Sequence, residues 1–218
     1  SLTKILATVP LLMQDHQTRG DGGLLTLTME DLLPHLLGTA VGELSVKDVL
    51  AHQSGLPAWI PFFQDGLDSN GEWKANYLQS ERSDSRPIQV AQHVYAGRHW
   101  PDSIQEQIAS LTMLSQTYRY SDLGYYLFQR YLESKHGMGL DAIIASAWFE
   151  PMGLGMTYLP LDHGVDLMTI APTEHDELCR KQVIRGTVHD PGAAIMGGVG
   201  GHAGLFAKAS DVARMMQL

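Results

Sequence analysis

A serine and a lysine stand three positions apart at the start of an apolar run. Ser1 and Lys4 form the only Ser-x-x-Lys pair in the chain. On a helix this spacing places both side chains on one face. A buried lysine loses the hydration of its charged form, so its pKa falls from about 10.4 and it can accept the proton of a serine. The pattern predicts Ser1 as a nucleophile and Lys4 as its base; the alternative is an N-capping serine followed by a surface lysine.

A second cluster of reactive side chains is Tyr120-Ser121-Asp122. A tyrosine hydroxyl near Ser1 and Lys4 could relay a proton if a neighbouring cation lowered its pKa from about 10. The alternative is a core aromatic at Tyr120 and an N-capping carboxylate at Asp122. The sequence leaves both interpretations open for Asp122.

Three further patterns carry less chemistry. The segment His52 to Pro57 is typical of a structural turn, because it lacks the flanking glycines of a nucleophile elbow. The ten histidines form no closely spaced ligand pair and Cys179 has no cysteine partner, so we expect no metal site. Gly198-Val199-Gly200 resembles a dinucleotide fingerprint, but no strand-turn-helix unit surrounds it. We therefore expect no metal or organic cofactor.

The bulk composition indicates a globular chain. It has 218 residues, of which 44% are hydrophobic, and a net charge of −9. The negative charge argues against a nucleic-acid partner, which would require a basic face. A single cysteine excludes an internal disulfide, and no apolar stretch approaches the roughly 20 residues that span a bilayer.

The elements that must position these residues are mostly helices. Leu2 to Met13 has helical apolar spacing, and Pro10 should kink or end that helix. Helix-start and helix-stop residues punctuate much of the remaining chain. The predicted signals are capping pairs at Thr28/Asp31 and Ser45/Asp48, a helix start at Pro101, a helix between Asp122 and Gly137, another from Leu140 to Ala147, and a last helix from Ala209 or Ser210 that continues to Leu218.

Three regions depart from this helical pattern. Phe63 to Arg86 is polar and predicts a surface excursion, which we expect to be a bland loop rather than a pocket lip. Ile88 to Tyr95 is ambiguous. Val183 to Ala207 contains seven glycines and short apolar runs, and it alone has the pattern of strands and turns.

In register, these segments resemble the serine β-lactamase and penicillin-binding protein superfamily, and most closely its class C-like branch. Ser1-Leu-Thr-Lys4 is similar to the nucleophile motif, and Tyr120-Ser-Asp122 to the family's Tyr-x-Asn position. Three longer stretches are similar to family segments: Leu44 to Pro57, Pro151 to Met156, and His189 to Phe206 with the following Ser210 to Arg214.

The resemblance implies an α+β, β-lactamase/transpeptidase-like fold. The family's Lys-Thr-Gly or His-x-Gly strand normally lies well beyond the glycine-rich segment and is not reached in this sequence, and the chain opens on its candidate nucleophile without a methionine. We therefore expect residues 1–218 to be a single partial domain, mainly the helical part with little of the central antiparallel sheet. N-terminal strands, and C-terminal strands with their helix, would be missing.

Asp122 is a departure from the family's commoner asparagine. A carboxylate near Lys4 favours the ammonium form and opposes a neutral-lysine base. Lys4 would then act better as a cation that supports Tyr120 as tyrosinate, although the Asp122 charge partly opposes that too.

The resemblance implies a serine hydrolase that forms an acyl-enzyme on an amide, ester or β-lactam, of the β-lactamase, D-peptidase or esterase type. Ser1 would attack the carbonyl, Lys4 and Tyr120 would move protons, and backbone N–H groups of Ser1 and of the absent strand would hold the oxyanion. Because a lost oxyanion donor costs about 10²–10³ in rate, we expect this chain alone to be nearly inactive. The expected partner is a small molecule or peptide with a reactive carbonyl, and the expected location is the periplasm or cell envelope.

Two other functions stay open at this point. One is a non-hydrolytic penicilloyl-binding sensor or degenerate binding module. The other, less favoured, is an N-terminal nucleophile hydrolase, which would need stacked sheets early in the chain.

Overall fold

The helix that begins the chain carries the Ser-x-x-Lys residues. The computed structural model describes residues 1–74, 77–112 and 117–217. A π-helical turn spans Lys4–Thr8 and continues directly into α1, Val9–Thr18. The predicted end of the helix at Pro10 is wrong, because the helical residues continue to Thr18. The helix departs from regular α geometry in the π-helical turn that directly precedes Val9 and Pro10.

Seven further α-helices follow α1 in the described part of the chain. They are α2 (Met29–Leu32), α3 (Val46–Leu50), α4 (Trp100–Ala109), α5 (Leu123–His136), α6 (Leu140–Ile144), α7 (Pro191–Ile195) and α8 (Ala209–Met215). Short 3₁₀ turns lie at Gly23–Thr26, Pro34–Leu36, Phe62–Gly66 and Leu167–Thr169, and a second π-helical turn at Ala145–Phe149.

The predicted helix boundaries hold at several positions. The Thr28 amide donates to the Asp31 carboxylate at 2.8 Å, and the Asp48 amide donates to Ser45 Oγ at 3.3 Å. Gly137 ends α5 with a φ of 69°, a left-handed conformation that favours glycine. The start of α4 is one residue earlier than predicted. The last helix was predicted to continue to Leu218, but α8 ends at Met215, and Leu218 lies outside the described residues.

Two small antiparallel sheets account for the strands of the described residues. One has the order β1 (Leu78–Gln79), β3 (Val94–Ala96), β2 (Ile88–Ala91), and the other pairs β4 (Glu174–Asp176) with β5 (Gln182–Ile184). The ambiguous segment Ile88 to Tyr95 is therefore a hairpin with a register shift at Gln89/Ala91.

Two sequence expectations about these regions are corrected. The polar segment from Phe63 to Arg86 is not a bland surface loop, because it includes β1 and buries Phe63, Tyr77 and Leu78 (residues 75 and 76 of this segment lie outside the described residues). The glycine-rich stretch from Val183 to Ala207 contains α7 as well as part of β5, so its strand-and-turn interpretation is only partly right.

Helix α5 lies at the centre of the core. It packs against the Lys4–Thr8 turn, α4 and α6, and its Leu127, Phe128 and Leu132 are fully buried. The Gln105 side chain of α4 donates to the Tyr126 carbonyl at 3.1 Å, which ties the two helices together through a buried polar contact. The turn that carries Lys4 therefore rests on a helix most of whose residues are buried.

The architecture is that of a β-lactamase/transpeptidase-like α+β fold in its mainly helical part, with 41% of residues helical and only small sheets. That residues 1–218 form one partial domain stays a prediction. Within the described residues, no helix combines the length and apolarity needed to cross a bilayer. Stacked sheets, which an N-terminal nucleophile hydrolase requires early in the chain, do not occur in the described residues, where the chain opens on helices.

Candidate active site

Lys4 is buried at the base of a cleft. Its residue surface is 2% exposed, as the apolar pattern around it predicts. The α5 helix packs against the turn that carries it, so the lysine points into the protein rather than towards solvent. A buried ammonium must be paired and hydrogen-bonded, and the structure supplies both kinds of partner.

The Lys4 ammonium has two oxygen partners and two aromatic neighbours. Nζ lies 2.5 Å from Asp122 Oδ1 and 3.4 Å from the carbonyl oxygen of His202. It also lies 4.7 Å from the ring centroid of Tyr120 and 5.4 Å from that of Tyr125, distances at which a cation is attracted to a ring. The sequence-predicted Lys4, Tyr120 and Asp122 thus converge from positions more than a hundred residues apart.

Ser1 lies beside the tyrosine of this cluster. Its main-chain nitrogen donates to Tyr120 Oη at 2.8 Å. Among the described residues, Ser1 Oγ accepts only the Thr3 amide, at 3.3 Å. Ser1 is exposed to the cleft, so its hydroxyl is accessible to a substrate. All four predicted site residues therefore lie around one point, although Ser1 Oγ is not hydrogen-bonded to Lys4 or Tyr120; such contacts are often loose before substrate binds.

The segment of Tyr120 is fixed by a turn sixty-odd residues earlier in the chain. The amide of Arg119 donates to the His52 carbonyl at 2.8 Å, and the amide of Ser121 donates to His52 Nδ1 at 3.1 Å. The Ser121 hydroxyl donates to the Pro57 carbonyl at 2.6 Å. His52 itself adopts a φ of 58°, which turns its ring towards the tyrosine segment. The structural interpretation of His52 to Pro57 fits this arrangement.

His52 also contacts the site directly. Its ring lies 4.6 Å from the Tyr120 ring, centroid to centroid. Burial lowers the pKa of His52, and the positive charge of Lys4 lowers it further. A neutral imidazole is also what the geometry needs, because Nδ1 must accept the Ser121 amide. His52 therefore supports Tyr120 without adding a positive charge.

Asp122 does not cap α5 through its side chain. It stands at the N-cap position, but its carboxylate makes no capping hydrogen bond and pairs with Lys4 instead. Ser121 Oγ instead accepts a hydrogen bond from the Leu123 amide at 3.2 Å, and so pairs one of the free N–H groups at the start of α5. The interpretation of Asp122 as a side-chain cap is therefore wrong, because its carboxylate contacts Lys4.

Two tyrosines approach Lys4, and only one faces the cleft. Tyr125 is 4% exposed, and burial raises its pKa to about 12. Tyr120 is 44% exposed and lines the cleft. The phenol that a substrate and Ser1 can reach is therefore Tyr120.

The glycine-rich segment closes the other side of the Lys4 turn. The Thr8 hydroxyl donates to the Gly201 carbonyl at 2.6 Å, and the Leu205 amide donates to Thr3 Oγ1 at 3.3 Å. A Cβ on Gly201 would lie 2.3 Å from the Tyr125 carbonyl oxygen, so only glycine allows this approach to α5. Sequence reasoning identified the segment by resemblance but assigned no role to its individual residues.

A cleft of about 930 Å³ opens from Ser1 across the molecule. Its walls come from the Ser1 turn, the Tyr120 segment, the 155–173 region and the glycine-rich segment. More of the wall surface is apolar than polar, as in most small-molecule sites, although half of the lining residues are polar or charged. Polar and charged residues along the cleft include Ser1, Thr3, Tyr120, Asp122, Thr157, Thr169, Thr173, His189, Asp190, His202 and Lys208.

His202 and Asp190 are site neighbours that sequence reasoning missed. The His202 ring is 1% exposed, and its Nε2 lies 3.0 Å from Asp190 Oδ1. Burial works to raise the pKa of Asp190, but the hydrogen bonds from the His202 ring and the Ala193 amide, together with the positive charge of Arg180, outweigh it and lower the pKa below its ordinary value. A histidine among glycines gives no periodic signal, so only the three-dimensional pairing reveals it.

Comparison with known proteins identifies the family. The sequence profile of the beta-lactamase family matches residues 1–218. The chain belongs to the beta-lactamase family, within the superfamily of serine β-lactamases and penicillin-binding proteins. The fold agrees: a class C beta-lactamase from Rhodobacter sphaeroides superposes with a TM-score of 0.59 at 16% identity, over 100% of this chain and 49% of that one.

Two curated relatives are hydrolases by name. The N-acetylmuramyl-L-alanine amidase of Bacillus subtilis strain 168 is 31% identical over 191 residues, which are 81% of this chain and 38% of that protein. A protein of Escherichia coli K12, named as a candidate D-alanyl-D-alanine carboxypeptidase, is 38% identical over 110 residues, 45% of this chain and 25% of that protein. The chain thus spans well under half the length of these relatives. The family and these names place it among hydrolases of the β-lactamase superfamily.

Proposed function

We propose that this protein is a serine hydrolase that forms an acyl-enzyme at Ser1 with an amide, ester or β-lactam. The observation that carries the proposal is the convergence of Ser1 and Tyr120, which line one cleft, with Lys4, which is buried beside it. An alcohol, a cation and an accessible phenol at one point are the groups that serine acyl transfer needs. Family membership supports the same chemistry.

Proton transfer would run through Tyr120. Ser1 Oγ attacks the carbonyl carbon while its proton passes to Tyr120, and the tetrahedral intermediate then expels the leaving group with that proton. In the second half of the reaction, water attacks the carbonyl carbon of the Ser1 ester and gives a proton to Tyr120. Ser1 then leaves with that proton, and the acyl group is released as a carboxylic acid. The positive charge of Lys4 at the Tyr120 ring stabilises the anionic phenolate that accepts the proton.

Lys4 serves in this scheme as a fixed cation. Its ammonium is paired with the Asp122 carboxylate and donates to the His202 carbonyl, which is the environment of a charged rather than a neutral amine. Asp122 therefore favours Tyr120 over Lys4 as the group that takes the serine proton.

The names of the two relatives favour an amide as the bond that is cleaved. One relative is named an amidase and the other is named for a carboxypeptidase activity. We propose a substrate of the cell-wall peptide type, and accordingly a location in the periplasm or cell envelope. The cleft of about 930 Å³ has room for a short peptide or a bicyclic β-lactam.

The test is covalent labelling of the protein expressed as its gene encodes it. Incubation with a fluorescent penicillin should attach the label, and mass spectrometry of peptides should locate the acyl group at Ser1. Ser1→Ala should abolish labelling, whereas the matched control Ser110→Ala, at an exposed serine, should label normally. Labelling at another residue, or no labelling by penicillin, peptide or activated ester, would contradict the proposal.

The rate of deacylation separates a hydrolase from a penicilloyl-binding sensor. A hydrolase should lose the label within minutes after free penicillin is removed and should release product over many turnovers. A sensor should stay acylated with one label per chain. Both outcomes share the Ser1 adduct, so the labelling test and the turnover test answer different questions.

A further inference from the structure

The His202 side chain is held on two sides in the protein interior. Its Nε2 lies 3.0 Å from Asp190 Oδ1, and its ring stacks on Tyr126 with centroids 4.0 Å apart and planes at 21°. Nδ1 is buried and, among the described residues, has no hydrogen-bond partner. The tautomer with hydrogen on Nε2 fits this geometry, because it donates to the carboxylate and leaves no buried donor unpaired.

The partners of His202 are themselves anchored. Asp190 Oδ1 also accepts the Ala193 amide at 2.7 Å and so caps α7. Tyr126 belongs to the central helix α5 and is fully buried. A Cβ on Gly192 would lie 2.1 Å from Tyr126 Oη, so α7 approaches the tyrosine hydroxyl closely. The imidazole therefore connects two helices that do not carry the predicted catalytic residues.

The main chain of the same residue contacts the site. The His202 carbonyl accepts a hydrogen bond from Lys4 Nζ at 3.4 Å. Among the described residues, this carbonyl and the Asp122 carboxylate are the two oxygen partners of the ammonium. Other side chains hold the main chain next to His202: Gln129 Oε1 accepts the Gly201 amide at 3.0 Å, Thr8 donates to the Gly201 carbonyl, and Tyr158 donates to the Gly200 carbonyl at 3.1 Å. The ring adds the anchor at residue 202 itself.

We propose that His202 is a positioning residue for Lys4, in which the ring held by Asp190 and Tyr126 keeps the carbonyl of the same residue against the ammonium. The inference rests on the proposed function, because it assumes that the placement of Lys4 matters for acyl transfer. Loss of the ring would remove the anchor at residue 202 itself, loosen the contact of its carbonyl with Lys4 and let the ammonium shift relative to Tyr120. A displacement of about 1 Å at a reacting group can cost about 10²-fold in rate.

The competing explanation is that His202 and Asp190 are only a stabilising pair in the core. A loss of stability alone would lower activity in proportion to the unfolded fraction and would leave Lys4 undisturbed in the folded molecules. The comparison therefore needs a second buried pair far from Ser1. Asp15, 4% exposed and paired with Lys135 and Arg19, provides it through Asp15→Asn.

The experiment compares His202→Leu, His202→Gln and Asp15→Asn with the wild type in the protein as its gene encodes it. The second-order rate constant of acylation by fluorescent penicillin is measured on folded protein at a temperature well below each melting transition. We expect His202→Leu to acylate about 10²-fold more slowly. His202→Gln, whose amide can still donate to Asp190, should recover to within about tenfold of wild type, and Asp15→Asn should acylate normally. If His202→Leu does not fold, Asp190→Asn takes its place, since it weakens the same contact without removing the ring.

A second readout does not depend on acylation. The NMR signal of the Lys4 Cε methylene, assigned by its loss in Lys4→Arg, should move in His202→Leu or Asp190→Asn and stay in place in Asp15→Asn. An unmoved Lys4 signal, or a wild-type acylation rate in folded His202→Leu, would overturn the inference. If the wild type is not acylated at all, the proposed function fails, while the Lys4 signal still decides whether His202 positions the lysine.

Discussion

The ammonium of Lys4 and the carboxylate of Asp122 lie 2.5 Å apart, and the two residues are separated by 118 positions in the chain. The lysine side chain is 3% exposed and the aspartate side chain 20%, so the pair sits at the boundary between core and cleft. This contact ties the first helical turn to the start of α5. It also sets the charge next to Tyr120, on which the first two predictions depend.

Removal of the Tyr120 hydroxyl should slow acylation without unfolding the protein. Tyr120→Phe keeps the ring that stacks on His52 and faces Lys4, but it removes the proton acceptor. We expect the acylation rate to fall about 10²-fold or more, with an unchanged melting temperature. Tyr118→Phe, at a tyrosine that is 71% exposed two residues earlier, is the matched control and should leave the rate unaltered. Equal rates for the two variants would remove Tyr120 from the mechanism.

Substitutions of Asp122 should separate hydrogen bonding from charge. In Asp122→Asn the side-chain oxygen can still accept from Lys4 Nζ, so we expect acylation within about tenfold of wild type. Asp122→Leu leaves a buried ammonium without its counter-charge and should cost about 3–5 kcal/mol in the free energy of unfolding, measured by urea denaturation. Asp102→Leu breaks an exposed ion pair with Arg130 and should change stability little. If Asp102→Leu and Asp122→Leu lowered the free energy of unfolding by similar amounts, the Lys4–Asp122 pair would not behave as a buried ion pair.

A second buried carboxylate should make stability depend on pH. Burial works to raise the pKa of Asp15, but hydrogen bonds from Lys135, Tyr131 and Arg19 outweigh it and lower the pKa below its usual 3.8. Because the folded pKa is below the unfolded one, the stabilisation is present above about pH 4 and is lost as the pH falls through the folded pKa.

We therefore expect Asp15→Asn to cost about 2–4 kcal/mol in the free energy of unfolding at pH 7 and clearly less at pH 3. Urea denaturation at the two pH values measures the difference. Asp162→Asn, at an exposed aspartate, should change the free energy of unfolding little and by the same amount at pH 7 and pH 3. A cost for Asp15→Asn that is independent of pH would contradict this electrostatic account.

The close approach of the glycine-rich segment to α5 should be sensitive to a single methyl group. In Gly201→Ala the new Cβ would meet the Tyr125 carbonyl oxygen at 2.3 Å, an atom that cannot move without bending the helix. We expect a loss of about 2–3 kcal/mol in the free energy of unfolding, at the upper end for overpacking. Gly71→Ala has open space around the new Cβ but a φ of 75°, so it should cost only the roughly 1 kcal/mol of a left-handed alanine. Thermal denaturation of both variants measures the two losses. A larger loss for Gly201→Ala than for Gly71→Ala would show that steric overlap costs more than backbone strain alone.

Much of the site could be predicted because its signals are local or depend on family motifs. The apolar residues around Lys4 at helical spacing predicted its burial, and the structure confirms it. The contact between Lys4 and Asp122 could not be chosen from the sequence, because an aspartate before a helix fits a cap equally well. Only the fold shows that Ser121 satisfies the helix end and leaves the carboxylate free for the lysine.

The errors in the fold have equally specific reasons. The strands β1 to β3 are two to four residues long, too short for an alternating pattern to stand out in polar surroundings. Pro10 gave a helix-breaking signal, but the helix continues past it by way of the adjoining π-helical turn, an irregularity that no apolar periodicity indicates. The role of His202 depends on Asp190 and Tyr126, which are 12 and 76 positions away, and no periodicity links them.

The turn at His52 and the segment of Tyr120 are joined by main-chain hydrogen bonds at both ends, from Arg119 to His52 and from Asp122 to Ala58. The sixty residues between Ala58 and Arg119 therefore begin and end at one place, beside Tyr120. They include α4, whose Gln105 side chain donates to the Tyr126 carbonyl of α5. The position of the phenol is thus tied to the packing of α4 on α5 as well as to the turn at His52.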